Sequence, residues 1–330
     1  MQNNIEISVV SPVYNEEAGL AVFVAAVTDQ LDRLGCSWEI VFVDDGSTDR
    51  TLDVLHAFRE KDSRIKILRF SRNFGNQVAT SAGLRCARGQ AVITMDGDMQ
   101  HPPEMIPEMV RRWKEGYHCV YTTRTYGTEV GQTKRRTSAL FSKLLNNLSG
   151  LSMPEGLADF RLLDRRVVDY VNSMGENSRF LRAMVHWLGF RQIGIPFTSQ
   201  PRHAGTTKFS FLKLLNLAID GITSFSIYPL RWITYGGIFV AALSLAYAAW
   251  VLFEVAILGV ITPGWPTLIV AILFLGGVQL ISIGVVGEYV GRIYTETKDR
   301  PLFVLQETYG FEMASPPTAI PLSDEYRKSA

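Results

Sequence analysis

"QAVITMDGDMQHPPE", residues 90–104, decides how the first half of the chain is read. An apolar run ends in Asp96 and Asp98, Gln100 follows at the same spacing, and Pro102 and Pro103 stop a strand from continuing. Along an extended strand, residues i, i+2 and i+4 share a side, so two carboxylates and an amide oxygen are expected to converge. Carboxylates held that close repel one another unless a cation lies between them. An oxygen-only set suits a hard divalent ion such as Mg²⁺ or Mn²⁺. A solvated turn with two acids has the same local composition, so the stretch gains its meaning from its surroundings.

Those surroundings repeat the same design. Strand-like runs "IEISVVSPV", "WEIVFVDDG", "RIKILRFS", "QAVITMDGD" and "HCVYTTR" alternate with helix-like segments over 16–34, 49–61, 75–88 and 103–115. Such alternation predicts an α/β domain with a mostly parallel sheet and helices on both faces. In these sheets ligands collect at the carboxyl ends of the strands. Polar clusters sit there: "SPVYNEE", "VDDGSTD", "SRNFGN" and "MDGDMQ". Ser47, Thr48 and Asp49 also suit a helix N-cap. No GxGxxG follows the first strand and no GxxxxGK[ST] is present, which disfavours a Rossmann dehydrogenase and a P-loop NTPase.

Beyond residue 150 the pattern changes. "LADFRLLDRR" reads as a short strand with a charged end, and "RQIGIPFTSQPRHAGTTK" as a strand leading into a loop with Arg202, His203, Gly205 and Lys208. Two cations around glycine can wrap an anion such as phosphate; a solvated basic loop is the plainer alternative.

Composition narrows the classes. The 330 residues carry a net charge of +1, which argues against a nucleic-acid binder that relies on a global basic field. Cys36, Cys86 and Cys119 are scattered and odd in number, as expected of free thiols in a reducing compartment. The five histidines form no HExxH-like pair, which argues against zinc. "MQNNIEISVV" enters a strand pattern directly, without a signal-peptide pattern.

The hydrophobicity is concentrated near the other end. From Trp232 to Gly287 the single charged side chain is Glu254. "WITYGGIFVAALSLAYAAWVLF" and "TLIVAILFLGGVQLISIGVVG" each reach the ~20 residues needed to cross ~30 Å of hydrocarbon. "GVITPGWP" between them reads as a turn. Arg231 precedes the pair and Arg292, Lys298 and Arg300 follow it, while the loop between has no Lys or Arg. The positive-inside rule then puts both ends, and the first domain, in the cytoplasm. Two long buried helices of a soluble core are the alternative. The stretch "KFSFLKLLNLAIDGITSFSIYP" before the hairpin is amphipathic, suited to the membrane interface or to packing on the first domain. The expected division is 1–207 for the catalytic-type domain, 208–231 for the amphipathic linker, 232–290 for the hairpin and 291–330 for a tail.

In this order "SPVYNEE", "VDDGSTDRT", "SRNFGN", "DGDMQHPPE", "ADFRLLDR" and "RHAGTTK", followed by two spans, resemble the polyprenyl-phosphate glycosyltransferases of glycosyltransferase family 2. The similarity is greatest to bactoprenol glucosyltransferases, with dolichyl-phosphate mannose synthase and the aminoarabinose transferase of lipid A modification as cousins. It covers roughly residues 5 to 305. It implies a Rossmann-like GT-A fold and inverting transfer of a sugar, first of all glucose from UDP-glucose, to a polyprenyl phosphate such as undecaprenyl phosphate for envelope glycans. It further implies that Pro12, Tyr14, Glu16, Asp44 and Arg72 hold the nucleotide sugar. Asp96, Asp98 and Gln100 would surround the Mg²⁺ or Mn²⁺ that bridges the diphosphate. Arg202 and Lys208 would close on the phosphates, Arg124 and Arg161 would meet the acceptor phosphate, and Asp159 and Asp98 would be catalytic. Relatives often carry Lys where this chain has Asn76, so Asn76 is left out of the implied site. A flippase for the lipid-linked sugar is an implied partner, and the glycines of "LFLGGVQLISIGVVG" would allow helix packing between subunits.

Two rivals share parts of the pattern. A processive polysaccharide synthase normally carries QxxRW before its spans, and "YPLRW" has Tyr228 in place of Gln. A membrane-bound nucleotide-sugar sensor or scaffold would not need the acids, Asp159 and the basic loop together. GDP-mannose, UDP-galactose, UDP-N-acetylglucosamine and UDP-aminoarabinose stay open as donors.

Overall fold

The structure, a computed structural model, describes residues 5–125, 154, 156–177, 179–198, 228–253, 256–257, 264–298 and 300–311. Contacts divide the chain into two units, one built from 1–147, 151–209 and 300–330, the other from 148–150 and 210–299.

The first unit follows the strand–helix alternation. It begins with β1 (Ile7–Val13), α1 (Leu20–Arg33), β2 (Trp38–Asp44), α2 (Thr51–Lys61), β3 (Ile65–Phe70), α3 (Asn76–Cys86) and β4 (Ala91–Thr94). A 3₁₀ turn at Pro103–Met105, α4 (Ile106–Lys114) and β5 (Cys119–Thr125) complete the first half. β6 (Leu157–Asp164), α5 (Arg165–Ser173), α6 (Leu181–Trp187) and β7 (Gln192–Thr198) follow. The last strand, β8 (Leu305–Tyr309), comes after the apolar helices.

The sheet order is β7-β5-β6-β4-β1-β2-β3-β8. β4, β1, β2 and β3 run parallel, β6 lies antiparallel between β4 and β5, and β8 is antiparallel on β3. Every residue of β1 and of β2 is buried, as expected for central parallel strands covered on both faces. Alternation divides their side chains. Ile7, Val9, Ile40 and Phe42 join a core with Leu20, Phe23, Val27 and Leu31 of α1 and Ile106 and Met109 of α4. Val10, Val41 and Val43 join a second core with Ala79 and Ala82 of α3, Val167 and Val171 of α5, and Leu181 and Met184 of α6. α3 lies so close to the sheet that a Cβ on Gly83 would come within 2.2 Å of Val10 Cγ1.

β8 corrects the expected tail. Residues after the apolar helices return to the first unit, where Ile67 pairs with Tyr309, Leu68 with Thr308 and Arg69 with Glu307. Phe303 stacks on Phe70 at 5.1 Å, and the Ser71 amide donates to Val304 O (3.0 Å). β3 would otherwise leave an unpaired strand edge.

The second unit contains α7 (Tyr228–Phe253) and α8 (Trp265–Thr297). Windows over 228–251 and 270–297 have mean hydropathy 1.5 and 2.2 and bury none of their residues, so both are long and apolar enough to cross a membrane. Tyr228–Arg231 form the first turn of α7 rather than a linker, and α8 continues past 290 to Thr297. Residues 208–227 of the amphipathic stretch, with Lys208, and Arg202 before it, lie outside the described residues.

Candidate functional site

The strand ends of β1, β2 and β4 open onto a cavity of about 290 Å³ lined by Pro12, Tyr14, Glu16, Asp45, Asn73, Gly75, Asn76, Asp96 and Asp98 among others. The loops after β1 and β2, which contribute Tyr14, Glu16 and Asp45 to the lining, hold one another. The Asn15 amide donates to Ser47 Oγ (3.0 Å) and the Thr48 amide to Asn15 Oδ1 (2.8 Å). The Glu16 amide donates to Thr51 Oγ1 (2.9 Å) and the Arg50 amide to Glu17 Oε2 (3.0 Å). The polar residues of "VDDGSTD" therefore serve the neighbouring loop as well as the start of α2.

Of the two aspartates that end β2, the second reaches the cavity. Asp45 accepts from the Phe74 amide (2.6 Å) and the Gly75 amide (2.9 Å), which pins the loop after β3. Gly46, at φ +73°, lets that loop approach, since a Cβ there would lie 2.6 Å from Arg72 C. Burial pushes the Asp45 carboxyl up, against the pull of the two amides. Asp44, expected at the nucleotide, is fully buried and does not line the cavity. Its Oδ1 accepts from the Ser47 amide (3.0 Å) and its Oδ2 faces Arg69 Nε at 3.8 Å. Asp44 is the last residue of β2, and Asp45, just past the strand, lines the cavity instead. Arg72 is exposed, lies 4.0 Å over the Phe74 ring and donates to Asn73 O, outside the lining.

The acids of the opening stretch do not follow strand alternation, because β4 ends at Thr94. Met99 takes a left-handed conformation at φ 59° and the Gln100 amide donates to Asp98 Oδ1 (3.1 Å). Asp96 and Asp98 line the cavity, whereas the Gln100 carboxamide Oε1 accepts from Arg124 Nη2 (3.4 Å) and lies outside the lining. Asn76 Nδ2 donates to Asp96 Oδ1 (2.9 Å), and Thr80 Oγ1 donates to Asn76 Oδ1 (3.2 Å). Asn76, set aside on the sequence, therefore orients one of the acids. The Asp96 amide donates to Nδ1 of the buried His101, whose ring stacks on Phe160 at 5.3 Å. Burial pushes the Asp96 carboxyl up, and the Asp159 and Asp98 charges add to it.

Among the described residues no group of three or more His, Cys, Asp or Glu is arranged to hold a metal. Mg²⁺ and its like are commonly held by one or two carboxylates, with waters and substrate phosphates completing the shell. Asp96 and Asp98 on one cavity wall fit that smaller requirement.

β6 brings in the next group. Its register pairs Thr94 with Arg161, and Thr94 Oγ1 donates to Asp159 O (2.7 Å), so Asp159 lies beside the end of β4. Arg182 of α6 clamps the Asp159 carboxylate, Nε to Oδ1 at 2.7 Å and Nη2 to Oδ2 at 2.5 Å. Burial acts to raise the Asp159 pKa, but Arg182 and then Arg161 hold it at about 2. Arg161 is itself only 3% exposed, donates to Ala158 O (3.0 Å) and lies 3.8 Å from Asp159. It supports the carboxylate from within the sheet and does not present an open guanidinium to an acceptor. Arg182 carried no local signal: "NSRFLRAM" reads as an ordinary helix start.

Residues 8–171 match Glycosyl transferase family 2 and residues 228–293 match the GtrB C-terminal hairpin. An uncharacterized glycosyltransferase of Synechocystis sp. is 45% identical, covering 93% of this chain and 97% of its own. The SfII prophage-derived bactoprenol glucosyl transferase of Shigella flexneri is 42% identical over 92% of this chain and 99% of its own. Among solved structures, mannosyl-3-phosphoglycerate synthase from Rubrobacter xylanophilus superposes with a TM-score of 0.49 at 16% identity, over 71% of this chain and 75% of that one. With a family 2 domain of GT-A type on its sheet and a GtrB-type hairpin behind it, the chain belongs to glycosyltransferase family 2.

Proposed function

We propose that the protein transfers glucose from UDP-glucose to a polyprenyl phosphate at the cytoplasmic face of a membrane. The observation that carries this reading is the joining, in one chain, of a strand-end cavity walled by Asp96 and Asp98 to two membrane-length apolar helices. A soluble nucleotide sugar suits the first and a lipid that cannot leave the bilayer suits the second. The bactoprenol glucosyl transferases, alike over most of the chain, support glucose and the lipid acceptor.

The proposed roles are these. Pro12, Tyr14, Glu16 and the Asn73–Asn76 edge hold the nucleotide, with Asp45 fixing that edge. Asp96 and Asp98 would hold a divalent ion, which supplies positive charge to the leaving diphosphate when bound. Arg202 and Lys208, outside the described residues, would add cations at the phosphates. The acceptor phosphate monoester, with a second pKa of about 6, is largely dianionic at neutral pH. Its oxygen attacks the anomeric carbon from the face opposite the diphosphate, with inversion and without help from a strong base. Arg124, near the end of β5 and hydrogen-bonded to Gln100, would orient that phosphate.

Full-length protein in detergent, incubated with undecaprenyl phosphate, Mg²⁺ or Mn²⁺ and labelled nucleotide sugars, tests this. Label should move into the organic phase from UDP-glucose, stop with EDTA and be lost in Asp96→Ala. Folded, UDP-binding protein that labels lipid from no donor would refute the reading.

A further inference from the structure

Asp159 is usually the residue one would ask to accept a proton, since it lies at a strand end beside the cavity acids. Its surroundings argue otherwise. Both carboxylate oxygens accept from one guanidinium, Arg182, at 2.7 and 2.5 Å, and a second guanidinium, Arg161, stands 3.8 Å from Oδ1. Arginine is not deprotonated in proteins, so the fork cannot become neutral to release the carboxylate. The pair is half-buried, with side-chain exposures of 35% for Arg182 and 22% for Asp159.

The scaffold behind Arg182 is unusually complete. Leu181, Ala183, Met184 and Val185 of α6 are all buried, so the helix is seated in the core and Arg182 emerges at a fixed place. Arg179, just before α6, is buried and donates to Val171 O (3.1 Å) and Met174 O (2.6 Å), fastening the approach to the end of α5. The Leu181 amide donates to Gln77 Oε1 (3.2 Å). Gln77 follows Asn76, whose amide holds Asp96. The first two residues of α3 thus tie the cavity acid and the Asp159 clamp into one frame.

We infer that Arg182 is a positioning residue for sugar transfer: it holds Asp159 as a fixed anion that orients the sugar and faces the positive charge developing at the anomeric carbon. The inference rests on the glycosyl-transfer reading and adds to it a residue and a division of labour. No proton moves to Asp159; the acceptor oxygen forms the new bond with its own electron pair, and the nucleotide diphosphate departs with the pair from the broken bond.

The experiment is a double-mutant cycle on the full chain in detergent, with kcat and KM for donor and acceptor in wild type, Arg182→Gln, Asp159→Asn and the double variant, and with Arg182→Lys as the conservative exchange. Misplacing a reacting or orienting group can cost on the order of 10- to 100-fold in rate, and that is the expected loss in kcat for Arg182→Gln, with donor KM changed by less than about threefold. Arg182→Lys should recover part of the loss. The double variant should be no slower than Asp159→Asn alone, because residues that act as a unit are not additive. UDP binding and the unfolding midpoint report the folded fraction, and a merely structural salt bridge would move these while leaving kcat per folded molecule unchanged. If Arg182→Gln does not fold, Arg182→Lys at wild-type kcat overturns the inference, and a reduced kcat with unchanged donor KM supports it. An active wild type with Arg182→Gln at full kcat, or losses that multiply in the double variant, overturns this inference alone. A wild type inactive with every donor overturns the functional reading beneath it.

Discussion

Asp159 carries two guanidinium groups within 4 Å of its carboxylate, and the consequence extends from rate to stability. Its folded pKa of about 2 lies below the ordinary 3.8, because Arg182 and Arg161 outweigh the effect of burial. A depressed carboxylate contributes stability that is fully present above its unfolded pKa and is lost as pH falls through the folded one. At ~1.4 kcal/mol per pKa unit the contribution at neutral pH is roughly 2 kcal/mol. Asp159→Asn should therefore lower the unfolding midpoint at neutral pH, and the gap to wild type should close between about pH 4 and pH 2. A gap that stays constant across that window would mean that Asp159 is not held as an ion by its neighbours. Asp45 has the opposite sign: burial pushes it up, so keeping it ionised costs stability as pH rises through its folded value. Its compensation is local, in the two amides that shape the cavity edge.

At the scale of elements, β8 is the piece whose loss should travel furthest. Phe303, 7% exposed, stacks on Phe70 at 5.1 Å, and Phe70 meets Phe74 edge-on at 5.5 Å. Phe74 belongs to the loop whose amides Asp45 holds, so an aromatic row runs from the C-terminal segment to the cavity edge. Truncating a buried Phe to Ala costs about 3–5 kcal/mol. Phe303→Ala should lower the unfolding midpoint markedly and weaken UDP binding, read by calorimetry. The Arg69–Glu307 pair, at 3.6 Å and partly exposed, should contribute less than about 1 kcal/mol, so Glu307→Gln should leave both readings near wild type. A Phe303→Ala variant as stable as wild type would show that β8 merely decorates the sheet. The same strand marks where local reading of the sequence stops. β1, β2 and β4 were legible because central strands buried on both faces are largely apolar and end abruptly in polar residues. "LQETY" is half-exposed and mixed in character, and it becomes a strand through pairing with β3, more than two hundred residues away. The site shows the same limit. Asp96 and Asp98 stood out by spacing, but the choice of Asp45 over Asp44, the departure of Gln100 towards Arg124 and the arrival of Arg182 depend on where the backbone turns. Spacing predicts direction only while a strand lasts, and β4 had already ended.

For the molecule as a whole, β8 also constrains how the chain meets a membrane. Residues 7–198 and 305–309 supply strands to one sheet, so the chain before α7 and the chain after α8 lie on the same side of any bilayer the helices enter. The pair must then cross twice or not at all. Helices in which none of the windowed residues is buried, with side chains such as Trp232, Phe239, Leu245, Ile272, Phe274 and Leu280 more than half exposed, would be poorly accommodated in water. A double crossing would cover them. Arg231, Arg292, Lys298 and Arg300 flank the hairpin, while the connection has no Lys or Arg, so the positive-inside rule predicts a connection facing away from the cytoplasm. Gly264 caps the start of α8 in that connection, and Ser173 is an exposed residue at the end of α5. In intact cells a membrane-impermeant maleimide should label Gly264→Cys, and it should label Ser173→Cys only after permeabilisation. Labelling of Ser173→Cys before permeabilisation and of Gly264→Cys only after it would invert the orientation, and labelling of both or of neither before permeabilisation would place the connection and the first unit on the same side of the membrane. The outcome matters to the proposed chemistry because a hairpin open to the outside would keep the cavity on the cytoplasmic side, where a soluble nucleotide sugar and a membrane-bound lipid phosphate could meet.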